Sequence, residues 1–343
     1  LRNSVAFSML ATLQAISFAG EVGSQTASEA ATNLLFSSIS SQDLKGVQIA
    51  IKQGADLNAT LHGTSPISAV LSNLVLLDDH HQKEKSRAIL NYLFAKGSRL
   101  SGHRDELFCA VISKDKSLMA LLLEQGLDPH SKAYGYSSVE LAYLYKADNL
   151  ISLLKSRNVT DIAPEIRQVM KIMRALVGND SNELQKLIHD QDALNQYAPN
   201  GRTPLLEALH SSSWIMVPDC CLLLFSGSPN FNLPSRNEED YGKYPIHFLT
   251  ETMTREPKFA DSVALLISAL IRGNHMDPNV KDNLQRTPLH DAAKLAYPQV
   301  AKALLLGGAN PLATDYRGQR PSSLAKTPEI RSLLLEAELT AKK

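Results

Sequence analysis

Thr287-Pro288-Leu289-His290-Asp291-Ala292-Ala293 is followed by Val300, by Leu304-Leu305-Leu306 and by Gly308-Ala309-Asn310. Each residue of this stretch has a place in a short helix, a turn and a second helix. A threonine at a helix start offers its hydroxyl to amides that have no partner inside the helix. The proline after it already has the φ of a first helical turn and no N–H to leave unbonded. Leu289 and Ala292 are three apart, so they share one helix face, and the small alanine lets a neighbouring helix come close. Leu304 and Leu305 form the apolar side of the second helix, and Gly308 stands where a helix ends in left-handed φ. Asn310 suits the turn that follows. One such helix pair leaves its apolar faces bare, so it requires neighbours of the same kind.

Those neighbours are found by placing other segments on the Thr287 slot. Thr203-Pro204-Leu205 with Ala208, Tyr244-Pro245-Ile246-His247, Arg320-Pro321 with Leu324-Ala325, and Ser65-Pro66-Ile67 repeat the opening. Asn33-Leu34-Leu35 begins a copy that ends in Gly54-Ala55-Asp56-Leu57-Asn58. Weaker copies open at Asp105, Ser137 and Met170 and keep the alanine five residues on, at Ala110, Ala142 and Ala175. The openings stand at 33, 65, 105, 137, 170, 203, 244, 287 and 320, at intervals of 32, 40, 32, 33, 33, 41, 43 and 33. The three long intervals read as insertions. From opening to closing glycine the distance is 21 residues in three units, Asn33 to Gly54, Asp105 to Gly126 and Thr287 to Gly308. Second helices carry recurring leucines, from Leu118, Leu121 and Leu122, through Leu184 and Leu187 with Ile188, to Leu333 and Leu334.

The Thr-Pro-Leu-His opening, the alanine five residues on, the Val-x-x-x-Leu-Leu second helix and the Gly-Ala-Asn ending resemble the ankyrin repeat, over about residues 30 to 340. The resemblance implies an all-α fold, an ankyrin-repeat solenoid of about nine helix-turn-helix units with β-turn tips, filling residues 31–343. It also implies a job: non-catalytic protein–protein interaction, as a binding module or scaffold whose partner lies on the concave surface of tips and first helices. In that family His247 and His290 serve the turns and carry no catalysis.

Composition narrows the rest. Lys+Arg and Asp+Glu both number 35, and a net charge of zero gives no general pull toward phosphate backbones, so nucleic acid is not an expected partner. The three cysteines, Cys109, Cys220 and Cys221, make neither a disulfide framework nor a zinc pattern. No G-x-G-x-x-G, P-loop, G-x-S-x-G or H-E-x-x-H is present. No catalytic, cofactor or metal residue is therefore assigned, and an enzyme or ligand-binding protein with a site built across repeats is the weaker alternative. Asp78-Asp79-His80-His81 holds metal-ligand types, but adjacent helical residues point about 100° apart, so a solvated helix or loop is expected between Ser72 and Ser86. A second insertion runs around Glu251 to Ala260 with Pro257, and the unit before it carries Trp214 and Pro218.

Arg2 precedes an apolar run from Val5 to Phe18, and Ser17-Phe18-Ala19 has the small residues of a signal-peptidase site. Residues 1–30 are expected to be a signal peptide or an N-terminal capping segment. The first case places the protein outside the cytoplasm, secreted or periplasmic, and the second in the cytoplasm. A bacterial effector that mimics host ankyrin adaptors is a further alternative. No run is long enough for a membrane span, and a monomer is expected.

The tips are expected over Asn58–Gly63, His130–Tyr136, Gln196–Arg202, Ser235–Lys243, Lys281–Arg286 and Thr314–Gln319. Arg202, Lys243 and Arg286 each stand one residue before an opening and predict a ladder of cations, with Tyr197, Tyr241 and Tyr316 beside it. Lys281 and Arg317 lie on the same tips. Arginine and tyrosine are common interface anchors, so these eight residues are the candidate partner-binding set and the partner is expected to be a protein with an acidic surface.

Overall fold

The structure, a computed structural model, describes residues 26–77, 79–210, 223, 226–251, 260–295 and 298–341. The apolar run from Val5 to Phe18, with Asp78, Trp214, Pro218, Cys220, Cys221 and Pro257, lies outside the described residues. By its contacts the chain divides into two compact units, Leu1–Ala163 and Pro164–Lys343.

The first unit is four helix pairs. Helix α1 (Ala27–Ser40) packs on α2 (Leu44–Lys52), α3 (Pro66–Leu76) on α4 (His80–Ala95), α5 (Arg104–Ile112) on α6 (Lys116–Glu124), and α7 (Ser138–Leu144) on α8 (Asp148–Lys155). The first helices also pack in sequence, α1 on α3, α3 on α5 and α5 on α7. Leu35, Phe36, Ile39, Ile67, Leu71, Ile89, Leu90, Leu93, Leu107, Phe108 and Met119 are fully buried between them. The second unit continues with α9 (Arg167–Val177), α10 (Ser181–Leu187), the short α11 (Gln191–Asn195) and α12 (Pro204–His210). Next come α13 (Pro245–Glu251), α14 (Ala260–Arg272), α15 (Pro288–Ala293), α16 (Pro298–Leu306), a 3-10 turn at Pro321–Leu324 and α17 (Pro328–Ala341). Here too first elements stack in order, α9, α12, α13, α15 and the 3-10 turn, with α14, α16 and α17 as a second row. Leu184, Leu206, Leu249, Ile267, Leu289, Val300, Leu304, Ile330 and Leu334 form its core.

The protein is mostly helical, as the periodicity predicts. Among the described residues its β structure is one antiparallel pair, β1 (Lys132–Ala133) with β2 (Tyr136–Ser137), and a single bridge from Leu61 to Thr64. Both enclose two-residue turns with positive φ, His62 (50°) and Gly63 (77°), Tyr134 (54°) and Gly135 (83°). That is the backbone a tight hairpin needs.

Helix starts follow the side chains that cap them. The openings at 65, 137, 203, 244, 287 and 320 each stand one residue before a helix or 3-10 turn. Ser65 accepts from the Ser68 amide at 3.1 Å, and Ser137 and Glu140 form a reciprocal capping box. At 33, 105 and 170 the helix begins earlier than the slot. Thr26 with Glu29 caps α1, His103 caps α5, and α9 runs straight out of a 3-10 turn at Pro164–Ile166. The alanine that anchors those copies marks a packing position, and the cap is set independently of it. Gly54 (89°), Gly126 (96°) and Gly308 (87°) end second helices in left-handed φ. After the last of them, the Ala309 amide reaches back to the Leu304 carbonyl at 3.0 Å and satisfies an end carbonyl. The insertion between Ser72 and Ser86 is taken up by helix, since α4 runs for 16 residues and starts at His80. His80 and Glu84 face solvent there, 3.8 Å apart, and among the described residues no group of His, Cys, Asp and Glu could hold a metal ion.

Candidate partner-binding surface

The second unit presents four tips, each closed by its own backbone. Ala198 N donates to Arg202 O at 2.9 Å, Ser235 N to Lys243 O at 2.8 Å, Asp282 N to Arg286 O at 2.9 Å and Asp315 N to Gln319 O at 3.0 Å. Aspartates tighten two of them from inside. Asp282 Oδ1 accepts from the Leu284 and Arg286 amides, both at 2.8 Å, and Asp315 Oδ1 from Arg317 and Gln319, both at 2.9 Å. Consecutive tips are then joined. Arg236 N donates to Gly201 O at 2.8 Å, Asn283 N to Tyr241 O at 2.7 Å and Tyr316 N to Leu284 O at 3.0 Å. The tips therefore stand as a bonded row before anything binds.

The histidines at the fourth position of the opening add a second seam. The Thr287 amide donates to His290 Nδ1 at 3.1 Å. The ring proton must then sit on Nε2, which donates to the Gln319 carbonyl of the next tip at 3.1 Å. His247 repeats the arrangement, taking the Tyr244 amide at 3.2 Å and giving Nε2–H to Arg286 O at 3.1 Å. Burial pushes His247 down to about 4 and lowers His290 as well, so both rings stay neutral in this role.

The predicted cation ladder does not form. Arg202 is 4% exposed, with Nε and Nη2 on the two Asp240 oxygens at 2.6 and 2.7 Å and Nη1 3.5 Å from Glu207. Burial works against its charge, but Asp240 and Glu207 outweigh it and hold the guanidinium protonated. The same contact keeps Asp240 ionised below the usual carboxylate range, although burial opposes it. Arg202 replaces the missing seam: its unit has Leu206 where the next two units have His247 and His290, and the arginine ties that unit to the next tip instead. Lys243 is paired with Glu251 at 2.6 Å, and Arg286 is half-buried.

Of the other five candidates, Tyr241, Tyr316 and Arg317 stand exposed within the tips, and Tyr197 and Lys281 lie just before them. Tyr241 is 53% and Tyr316 51% exposed. Arg317 lies 5.1 Å from the centre of the Tyr316 ring, Lys281 is exposed, and Tyr197 is half-buried with its hydroxyl on Pro234 O at 2.8 Å. The guanidinium of Arg236 lies 3.8 Å from the centre of the Tyr197 ring. Arg236 is the residue that sequence reading missed, because it sits in the lengthened exit after Phe231, where the repeat offers no slot.

Comparison with known families matches residues 285–316, the last two joined tips with α15 and α16 between them, to the ankyrin repeat. Residues 285–316 are an ankyrin repeat. Parts of the chain also align with curated proteins. Oxysterol-binding protein-related protein 1 of Homo sapiens is 40% identical over 81 residues, 24% of this chain and 8% of that protein. NF-kappa-B inhibitor alpha of Homo sapiens is 42% identical over 55 residues, 16% of this chain and 17% of that protein. The chain thus spans less than a fifth of the length of either relative. No helix among the described residues is long and apolar enough to cross a membrane.

Proposed function

We propose that this protein is a non-catalytic binding module of about nine ankyrin units within residues 31–343, and that it takes a protein partner across the tip row of its second unit. The exposed tyrosines carry the reading. Tyr241 and Tyr316 stand half in solvent on tips already bonded to their neighbours, so docking orders few groups. Arg317 lies over the Tyr316 ring, and Arg236 and Lys281 are exposed on the same row of tips, which favours a partner that brings carboxylates. That one aligned relative is by name an inhibitor of another protein supports the binding role. Affinity capture with the full chain identifies the partner, and Tyr241→Ala with Tyr316→Ala and Arg317→Glu should weaken it at least tenfold while the melting curve stays in place. Capture that is undiminished by the triple variant would remove the tip row as the docking face.

A further inference from the structure

Asp291 lies on α15 with α13 on one side, the 3-10 turn at Pro321–Leu324 on the other and α16 behind it. It is 5% exposed, and its Oδ2 has no hydrogen-bond partner among the described residues. Ionised, the Oδ2 oxygen there lacks both water and a donor. Among the described residues, the main charged groups that act on it come from neighbouring elements. Glu251 comes from α13, with Lys243 just ahead of that helix, 2.6 Å from the Glu251 carboxylate. Asp282 comes from the tip before α15, and Lys294 from the end of its own helix. The His247 and His290 rings are bonded and neutral, α16 carries only the exposed Lys302, and the 3-10 turn has no ionisable side chain. Beyond that turn Arg320 is tied to Glu338 at 3.0 Å.

Among the described residues, two acids and two amines therefore act on one buried carboxyl, and one of the amines already holds another carboxylate. We propose that Asp291 is a proton-binding switch on the first-helix row: protonated, it leaves Lys243 on Glu251, and on losing its proton to solvent it competes with Glu251 for that ammonium. Burial first, and the Glu251 charge second, push the Asp291 carboxyl up to about 7, so the change of state falls near neutrality. The Lys243–Glu251 pair beside the tips would then respond to a modest change of pH. This does not depend on the identity or existence of a partner.

The test is a carbon-detected titration of the full chain from pH 5 to 9, with the Asp291 carboxyl signal assigned by its loss in Asp291→Asn. The expected result is an Asp291 midpoint near 7, with the Lys243 and Glu251 side-chain signals moving at the same midpoint in the wild type and standing still in the variant. An Asp291 midpoint in the ordinary carboxylate range overturns the proposal. So does a normal Asp291 step that Lys243 and Glu251 ignore. If Asp291→Asn does not fold, Glu251→Gln supplies the remaining assignment, and the wild-type midpoints decide alone.

Discussion

At the scale of single residues, the second unit spends its polar side chains on joining one tip to the next. Arg202 is the strongest case, a buried guanidinium with both Asp240 oxygens on it. Truncating it leaves Asp240 charged and uncompensated, so Arg202→Met should destabilise the protein by about 3–5 kcal/mol in urea titrations. Adding Asp240→Asn should return some of that loss, which a purely apolar packing defect would not do. The histidines predict a pH dependence with a definite sign. Burial lowers His247 and His210 to about 4, below the ordinary 6.5 of an unfolded histidine. A depressed folded value means stability that is complete above 6.5 and lost as pH falls toward 4, on the order of 3 kcal/mol for fully buried His247. The melting temperature should fall across that window, and His247→Gln should flatten the fall. No such flattening would mean that the ring is already accessible to protons in the folded state. The histidines and threonine of the opening were legible in the sequence because their spacing of three is enough to close a helix start. Arg202 was not, since its partner Asp240 lies 38 residues on in an insertion that no period locates.

Helices, turns and their ends show where local chemistry alone decides the structure. The Pro-led starts at Pro66, Pro204, Pro245, Pro288 and Pro321 fall where the sequence places them, because proline fixes φ at one residue and leaves nothing to context. The starts of α1, α5 and α9 differ from the expected slots because Thr26, His103 and a 3-10 lead-in without a side-chain cap open them upstream of the slot. Glycine ends differ in the same way, and two substitutions separate backbone strain from crowding. At Gly126, φ is +96° and a Cβ would meet nothing within 4 Å, so Gly126→Ala should cost about 1 kcal/mol from strain alone. At Gly201, φ is +77° and the Cβ would lie 2.7 Å from the Arg236 carbonyl carbon and the Asn237 amide. Gly201→Ala must therefore push neighbouring tips apart as well as strain its own. Its cost in denaturant titrations should exceed that of Gly126→Ala by about 1–3 kcal/mol. Equal costs would show that the Gly201–Arg236 seam yields without resistance.

For the molecule as a whole, the near-constant period of the openings hides a division that only three-dimensional packing reveals. The sequence reads as one array because every unit buries the same kinds of residue, whereas the contacts separate at Ala163 and Pro164 into two bodies with their own cores. No residue type marks that boundary: Pro164 begins a 3-10 turn much as other prolines begin helices. The division carries an energetic consequence. In a repeat protein stability is close to a sum of unit terms and neighbour terms, so a core lesion in one body need not reach the other. Leu304 is fully buried in the second unit, and Leu304→Ala should cost about 2–5 kcal/mol there. Amide exchange should accelerate across α13 to α17 while α1 to α8 keep their protection. Leu90→Ala in the first unit should do the reverse. If either substitution speeds exchange equally from α1 to α17, the two bodies open together, and the cooperative unit is the entire chain rather than the half in which a given leucine is packed.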